Sequence, residues 1–316
     1  MAQSKERTKT KRLLVVAVVF FVFVGAFFWA ISDNGSGRRF ERTNVMAALM
    51  PPFWWIHSQD QKEQQEKLYV EGISQTFFGT DQLGRDVFAR CIVGGAISVS
   101  VGLFAACIAV FVGTLWGTIA GIRGGKIDAA MMRTVDILYG LPSIMLVVLI
   151  TVAANSLVNT LATISPVMQE FINVVALLAA IGVVSWLTVS RVIRGQVRSL
   201  VTRPAMDACR VIGVGPIRTY THHLLPALFG TIIVYATLTV PAAILSEAFL
   251  SFLGIGIREP LPSWGTLAAD GLGQLNPVQV RWWLLLWPCL CIAITLIAMN
   301  WFGQKLQQRV DPRHVV

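Results

Sequence analysis

Charge is what this sequence has least of. Only 14% of its 316 residues are Asp, Glu, Lys or Arg, against about a quarter in a soluble domain. Hydrophobic residues make up 55% and mean hydropathy is +0.64, so a freely soluble globule is excluded and the solvent is a bilayer. Histidine is scarce too: His57, His222, His223 and His314 form no catalytic group with a nucleophile. The adjacent His222 and His223 read as a structural pair at a helix foot rather than a metal site. Of the cysteines, Cys107, Cys289 and Cys291 lie in apolar runs, Cys209 in a polar segment, and Cys91 alone fits an oxidising side. Their spacing suggests neither a disulfide framework nor a metal site, and small apolar filler is the plain reading. A phosphate loop is also missing: near Gly125-Lys126, Ala120 stands where the first Gly is required and Ile127 where Ser or Thr is required. No catalytic residue, no metal ligand and no nucleotide site is therefore expected on this chain. The net charge of +9 sits mostly beside apolar runs, which favours lipid headgroups over nucleic acid as its partner.

Long uncharged runs are what the chain has in abundance. A span needs about 20 mostly apolar residues, and the qualifying runs are Leu13–Ile31, Gly94–Ala120, Val135–Ala154, Phe171–Ser190, Leu228–Leu250 and Trp282–Phe302. Lipid offers the backbone no hydrogen bonds, so each is expected to be a helix, and the fold class is all-α and polytopic with six transmembrane helices. The first run follows Lys5, Arg7, Lys9, Lys11 and Arg12 as a signal peptide would. It is too long for one, and Phe27, Phe28 and Trp29 occupy the place of a small-residue cleavage site, so it reads as a retained span. Gly94, Gly95, Gly102, Gly113 and Gly117 would let neighbouring helices approach closely. Pro142 and Pro241 predict kinks.

Basic residues precede the first run, lie between the second and third and between the fourth and fifth, and follow the sixth, while Asn155–Glu170 has none. The positive-inside rule then places both termini in the cytoplasm. Trp264, Trp282, Trp283 and Trp301 are expected at the membrane interfaces. The expected organisation is residues 1–31 as cytoplasmic N-terminus and first span, 32–93 as an extracytoplasmic segment, 94–303 as a five-span core, and 304–316 as a cytoplasmic tail. Within the outer segment, Gln59–Lys67 predicts a solvated helix, with Glu63 and Lys67 placed as an i,i+4 pair. Asp81 with Arg85, and Asp86 with Arg90, have the same spacing and predict a short outer helix.

One cytoplasmic stretch needs a partner. From Thr202 to Gly213 it predicts a short helix with Thr202 as cap, Pro204 in the first turn and Gly213 as stop. Ala205, Ala208, Cys209 and Ile212 share a narrow face suited to a preformed groove. A helix lying flat on lipid headgroups is the alternative that pattern alone leaves open. Pro216 restarts a helix through Tyr220, His222 and His223 towards the next span. Two further acids stand near the spans: Glu247, either a pathway residue or a capping acid, and Asp136, paired with the nearby Arg133.

Asp207-Ala208-Cys209, then Gly213, then Leu225-Pro226 resembles the EAA loop of ABC-importer permeases, with Asp for Glu, Cys for the second Ala, and His223 in a hydrophobic slot. Phe78-Gly79-Thr80-Asp81-Gln82-Leu83-Gly84-Arg85-Asp86 and Ser246-Glu247-Ala248-Phe249-Leu250-Ser251-Phe252-Leu253-Gly254 are similar to segments of the peptide/nickel subfamily. So are Pro262-Ser263-Trp264-Gly265 and Asp311-Pro312-Arg313, and the nearest likeness is the C-type subunit of oligopeptide importers. Residues 32–75 are not covered by it.

The resemblance implies a type I importer permease in a bacterial cytoplasmic (inner) membrane, with a coupling helix over 203–213. It implies a sibling permease, two ATP-binding subunits that hold ATP and Mg, and an extracytoplasmic solute-binding protein. Arg203, Ala205, Asp207, Ala208, Cys209, Ile212, Gly213 and Pro226 would couple to the ATPase. Gly79, Thr80, Asp81, Gly84 and Arg85 would shape the outer mouth or the docking site, with Glu247 in the pathway. The same machinery could carry dipeptides, metal chelates or a peptide antibiotic. An ion-driven secondary transporter is the rival of another class, but the chain lacks the internal repeats and paired intramembrane charges such proteins show.

Overall fold

The computed structural model describes residues 25, 27–32, 38–56, 59–70, 76–160, 166–275 and 280–310. Among them the regular elements are helical and no strand is formed. The first predicted span, Leu13–Ile31, lies outside the described residues except at its end, where 27–31 are helical.

The helices are α1 (Gln59–Val70), α2 (Val87–Arg123), α3 (Gly125–Tyr139), α4 (Ser143–Thr160), α5 (Pro166–Val201), α6 (Pro204–Val211), α7 (Pro216–Thr219), α8 (Leu225–Phe252), α9 (Trp264–Leu272) and α10 (Trp282–Val310). Four stretches are long and apolar enough to cross a membrane: Val87–Arg123, Phe171–Val201, Tyr220–Phe252 and Trp282–Gln308. Each overruns its predicted span, because a helix that has begun continues into the headgroup region while nothing in the sequence stops it.

The predicted span Val135–Ala154 is different. It is a broken pair, α3 and α4, bent by 89°. Gly140 ends α3, its N–H bonding to Asp136 O. Pro142 has no N–H to give and disfavours helix at the residue before it. The sequence predicts a kink at Pro142, and the structure has a full break.

The chain forms two compact units, one of Met1–Ile97 with Arg258–Cys291, the other of Ser98–Ile257 with Ile292–Val316. In the second unit a glycine row on α2 sets the packing. A Cβ on Gly113 would lie 2.6 Å from Val189 Cβ, one on Gly117 2.5 Å from Ser190 O, and one on Gly121 2.6 Å from Val197 Cγ1. Small residues at i, i+4 and i+8 bring α5 to backbone contact, the usual solution where lipid gives no hydrophobic drive between helices. Trp116 and Trp186 close the same seam at 5.0 Å between centroids, and Trp116 donates to Met131 O.

In the first unit, Ser263 caps α9 in a reciprocal box with Thr266. Trp264 is buried against Gly95, with its indole N–H on Cys91 O at 2.8 Å. Trp283 is buried as well, so both tryptophans pack within this unit. Trp282 and Trp301 remain accessible.

Candidate functional site

The short helix between two spans is α6. Pro204 opens it, at the position where a missing N–H costs nothing. Thr202 does not cap it: its hydroxyl donates to Arg198 O and Ser199 O at the end of α5. Gly213 stops it with φ of +77°, and Val214 N–H reaches back to Cys209 O at 3.0 Å. That is a Schellman stop, which needs the left-handed glycine.

Met206 packs α6 onto the cluster of Val189, Ile193, Val197, Leu224 and Leu228. The sequence reading missed Met206, whose place shows only once α6 is seated on α5. Asp207 and Ala208 are exposed, Cys209 is half-buried, and the tip carries Val211 at 88% and Ile212 at 78% exposure. The bare apolar tip is therefore Val211 with Ile212, so the predicted face is enlarged by one residue. Arg203 is exposed just before the helix, and Ala205 lies within its first turn.

Beyond α6, α7 runs into a π-helical turn, Tyr220–Leu224, and then α8. Pro226, second in α8, has a ring that clashes with the carbonyl four residues earlier in a regular helix. The wider turn before it is the geometry that relieves this clash. The π turn presents His222 and His223 to solvent, and His222 Nδ1 lies 2.9 Å from Thr221 Oγ1.

Next to α6, a charge ladder ties α5 to α3. Arg194 Nε and Nη2 grip Asp128 at 2.6 and 2.5 Å, Arg198 joins at 3.3 Å, and Arg191 Nη2 meets Asp136 at 2.7 Å. The predicted partner of Asp136, Arg133, is replaced by Arg191, which also lies over Tyr139 at 4.1 Å. Arg191, Arg194 and Arg198 fall at i, i+3 and i+7, one face of α5.

The predicted outer-mouth residues form a knot rather than a helix. Asp81 is buried, and its Oδ1 accepts from the N–H of Leu83 and of Arg85, while its Oδ2 takes Arg85 Nε and Arg90 Nη1, both at 2.6 Å. Glu259 Oε1 accepts from Arg85 at 2.8 Å and from Arg90 at 3.1 Å. Asp86 does not pair with Arg90; it caps α2 through Phe88 N–H. The sequence spacing found the Asp81–Arg85 pair but not Glu259, which lies 174 positions from Arg85.

Gly79 and Gly84 both have positive φ. A Cβ at Gly79 would sit 2.7 Å from Met50 O, and one at Gly84 would strike Asn44 O. Thr80 Oγ1 accepts from Met50 N–H and donates to Ala47 O. Residues 44–50, inside the segment that the resemblance leaves unexplained, are thus the clamp on this knot. Burial pushes the Glu259 carboxyl up, but Arg85 and Arg90 override it and hold it below its ordinary value. Burial pushes Asp270, which lines a pocket together with Asp81, Arg85 and Glu259, above its own.

Glu247 is fully buried. Its Oε1 accepts from Ser251 Oγ at 2.7 Å, and Ser251 Oγ accepts from Ile257 N–H at 3.1 Å. The acid thereby braces the end of α8, and its neighbour Ser246, about 100° around the helix, is the residue that lines the cavity of this unit. Among the described residues no group of three or more His, Cys, Asp or Glu is placed to hold a metal ion.

Four apolar helices long enough to cross a membrane, a sharply bent helix pair and a stopped amphipathic helix held out between two of the long helices define a polytopic helical membrane protein. The chain belongs to the family described as binding-protein-dependent transport system inner membrane component, which matches residues 113–315. It is 38% identical over 266 residues to the dipeptide transport system permease protein DppC of Bacillus subtilis (strain 168), covering 84% of this chain and 77% of that one. It is 40% identical over 237 residues to the oligopeptide transport system permease protein OppC of the same organism, covering 75% and 72%. With the OppC protein of Salmonella typhimurium the identity is 41% over the same shares. In fold it is similar to a chain of the MetNI methionine ABC transporter in an inward-facing crystal form, with a TM-score of 0.53 at 16% identity over 69% of this chain and 94% of that one. The fold is that of a type I ABC importer permease.

Proposed function

We propose that this chain is the transmembrane permease subunit of an ATP-driven importer of oligopeptides. A sibling permease completes the pathway, an extracytoplasmic solute-binding protein delivers cargo, and two ATP-binding subunits supply the energy. The chain carries no nucleotide site, and ATP and Mg bind on those partners. Both termini lie in the cytoplasm.

The observation that carries this reading is the tip of α6, where Val211 and Ile212 stand almost fully in solvent. Each such side chain costs about 1.5–3 kcal/mol to leave out of an apolar environment, so the tip calls for a groove on a partner. Met206 on one side and the charge ladder on the other would pass the partner's motion into α5 and α3. Gly79, Thr80, Asp81, Gly84 and Arg85 support a rigid outer platform for the binding protein.

The test is uptake of a labelled tripeptide into proteoliposomes holding the whole complex. Val211→Asp with Ile212→Asp, or Gly213→Pro, should abolish ATP-dependent uptake while the chain stays inserted. Undiminished uptake in both variants would overturn the coupling role. Photolabelling with azido-ATP should mark the partner subunits and spare this chain. Dipeptides are the second reading of the cargo, favoured by the likeness to the Bacillus dipeptide permease, and competition between unlabelled dipeptides and longer peptides separates the two.

A further inference from the structure

The second unit holds a cavity of about 650 Å³ bounded by the end of α3 and by α4, α5 and α8. Three properties of its wall belong together. First, none of the described residues that line it is charged. Second, the helix break at Gly140–Pro142 opens onto it through Tyr139, Leu141 and Pro142; irregular backbone at membrane depth persists where it lines such a space or is buried in protein. Third, its serine and threonine hydroxyls are of two kinds. Thr239 donates to Tyr235 O at 2.6 Å and Ser246 to Ala242 O at 2.9 Å, so both are engaged within α8. Ser143, Ser185 and Thr188 are accessible, and their hydroxyls make no hydrogen bond to another described residue. Ser185 and Thr188 fall at i and i+3 on α5, on one face.

A wall of this kind discriminates among occupants. A lipid tail would leave the three hydroxyls without partners, which costs free energy in an apolar setting. A side chain of either sign would meet no fixed charge on this wall to attract or repel it. A neutral chain of amides would find apolar contact along its length and hydroxyls able to donate to its carbonyls or accept from its N–H groups. Passage also requires contact weak enough to release the cargo, which uncharged hydrogen bonds provide and fixed ion pairs do not.

We propose that this cavity is where cargo in transit meets this subunit, that Ser143, Ser185 and Thr188 hydrogen-bond its peptide bonds, and that the charge-free wall makes the passage indifferent to side-chain charge. The proposal rests on the peptide-importer reading and adds to it the residues and the physical basis of broad cargo acceptance.

The experiment uses the intact complex in proteoliposomes, with three labelled peptides that differ only in a central Lys, Glu or Ala. The wild type should carry all three at similar rates. Ser185→Lys should slow the Lys peptide relative to the Glu peptide by about tenfold or more, since like-charge juxtaposition is costly, and Ser185→Glu should reverse that order. Thr188→Cys, with the five other cysteines replaced, lets a cationic or an anionic methanethiosulfonate reagent add the same charge after folding and assembly, so a defect in assembly is not mistaken for a result. Equal slowing of all three peptides, or no effect on any, by either route would overturn the proposal. A wild-type complex that hydrolyses ATP but imports none of the three would instead reject the peptide reading itself.

Discussion

Arg90 is 1% exposed, a guanidinium almost wholly removed from water. It persists there because Asp81 and Glu259 both reach it. Removing one partner of a buried pair costs about 3–5 kcal/mol, because the remaining charge is left uncompensated. Asp81→Ala is therefore expected to lower the unfolding midpoint of the purified complex by several degrees, while Asp81→Asn, which keeps an acceptor for the N–H groups of Leu83 and Arg85, loses less; differential scanning fluorimetry in detergent reads both.

Glu259 makes the same knot sensitive to pH. Its folded pKa is held below the ordinary 4.5, so its charge stabilises the fold above that value. The contribution is lost as pH falls through the lowered folded value. Stability of the wild type should decline as the pH drops below about 4.5, and Glu259→Gln should flatten that limb. The effect will be modest because the side chain is half exposed. Sequence spacing exposed one contact of this knot, the local i,i+4 pair. The contact with Glu259 has no local period to betray it.

At the scale of elements, the glycine row of α2 shows how much a single helix face decides. Gly117→Leu would drive a branched side chain into Ser190 O and Arg194 N of α5. Overpacking of this kind typically costs about 1–3 kcal/mol, and a backbone that cannot yield puts the cost at the upper end. Reduced yield of assembled complex on size-exclusion chromatography is the expected outcome, whereas Gly195→Leu, which meets open space, should leave assembly intact. The glycine spacing was visible in the sequence, but the identity of the opposing helix was not. The helix α6 was legible for a different reason. Its start, its stop and its apolar residues are all local, and Pro204 and Gly213 bracket it within ten residues. Its inward residue, Met206, depended on how α5 and α8 come together.

At the scale of the whole molecule, the arrangement of basic residues predicts which loops face the cytoplasm. A green fluorescent protein fused after Gln308 should fluoresce, and one fused after Gln274 should not, because that reporter folds poorly once exported through the general secretory route. The reverse pattern would invert the proposed topology. Among the described residues, buried ion pairs gather at the Asp81 knot in the first unit and at the Asp128–Arg194 ladder in the second.

By itself the sequence determined that the chain is helical and polytopic, where its four long apolar helices lie, and where the short helix from Pro204 starts and stops. Those properties depend on transfer free energy and on residues within a few turns of one another. Only the tertiary structure decided that the third predicted span is a helix pair bent by 89°, that Arg90 answers to Glu259, that residues 44–50 clamp the outer knot, and that Ser246 rather than Glu247 lines the cavity. These depend on rotation about a helix axis and on which distant surfaces meet, and one residue of rotation decides which of two neighbours lines a cavity.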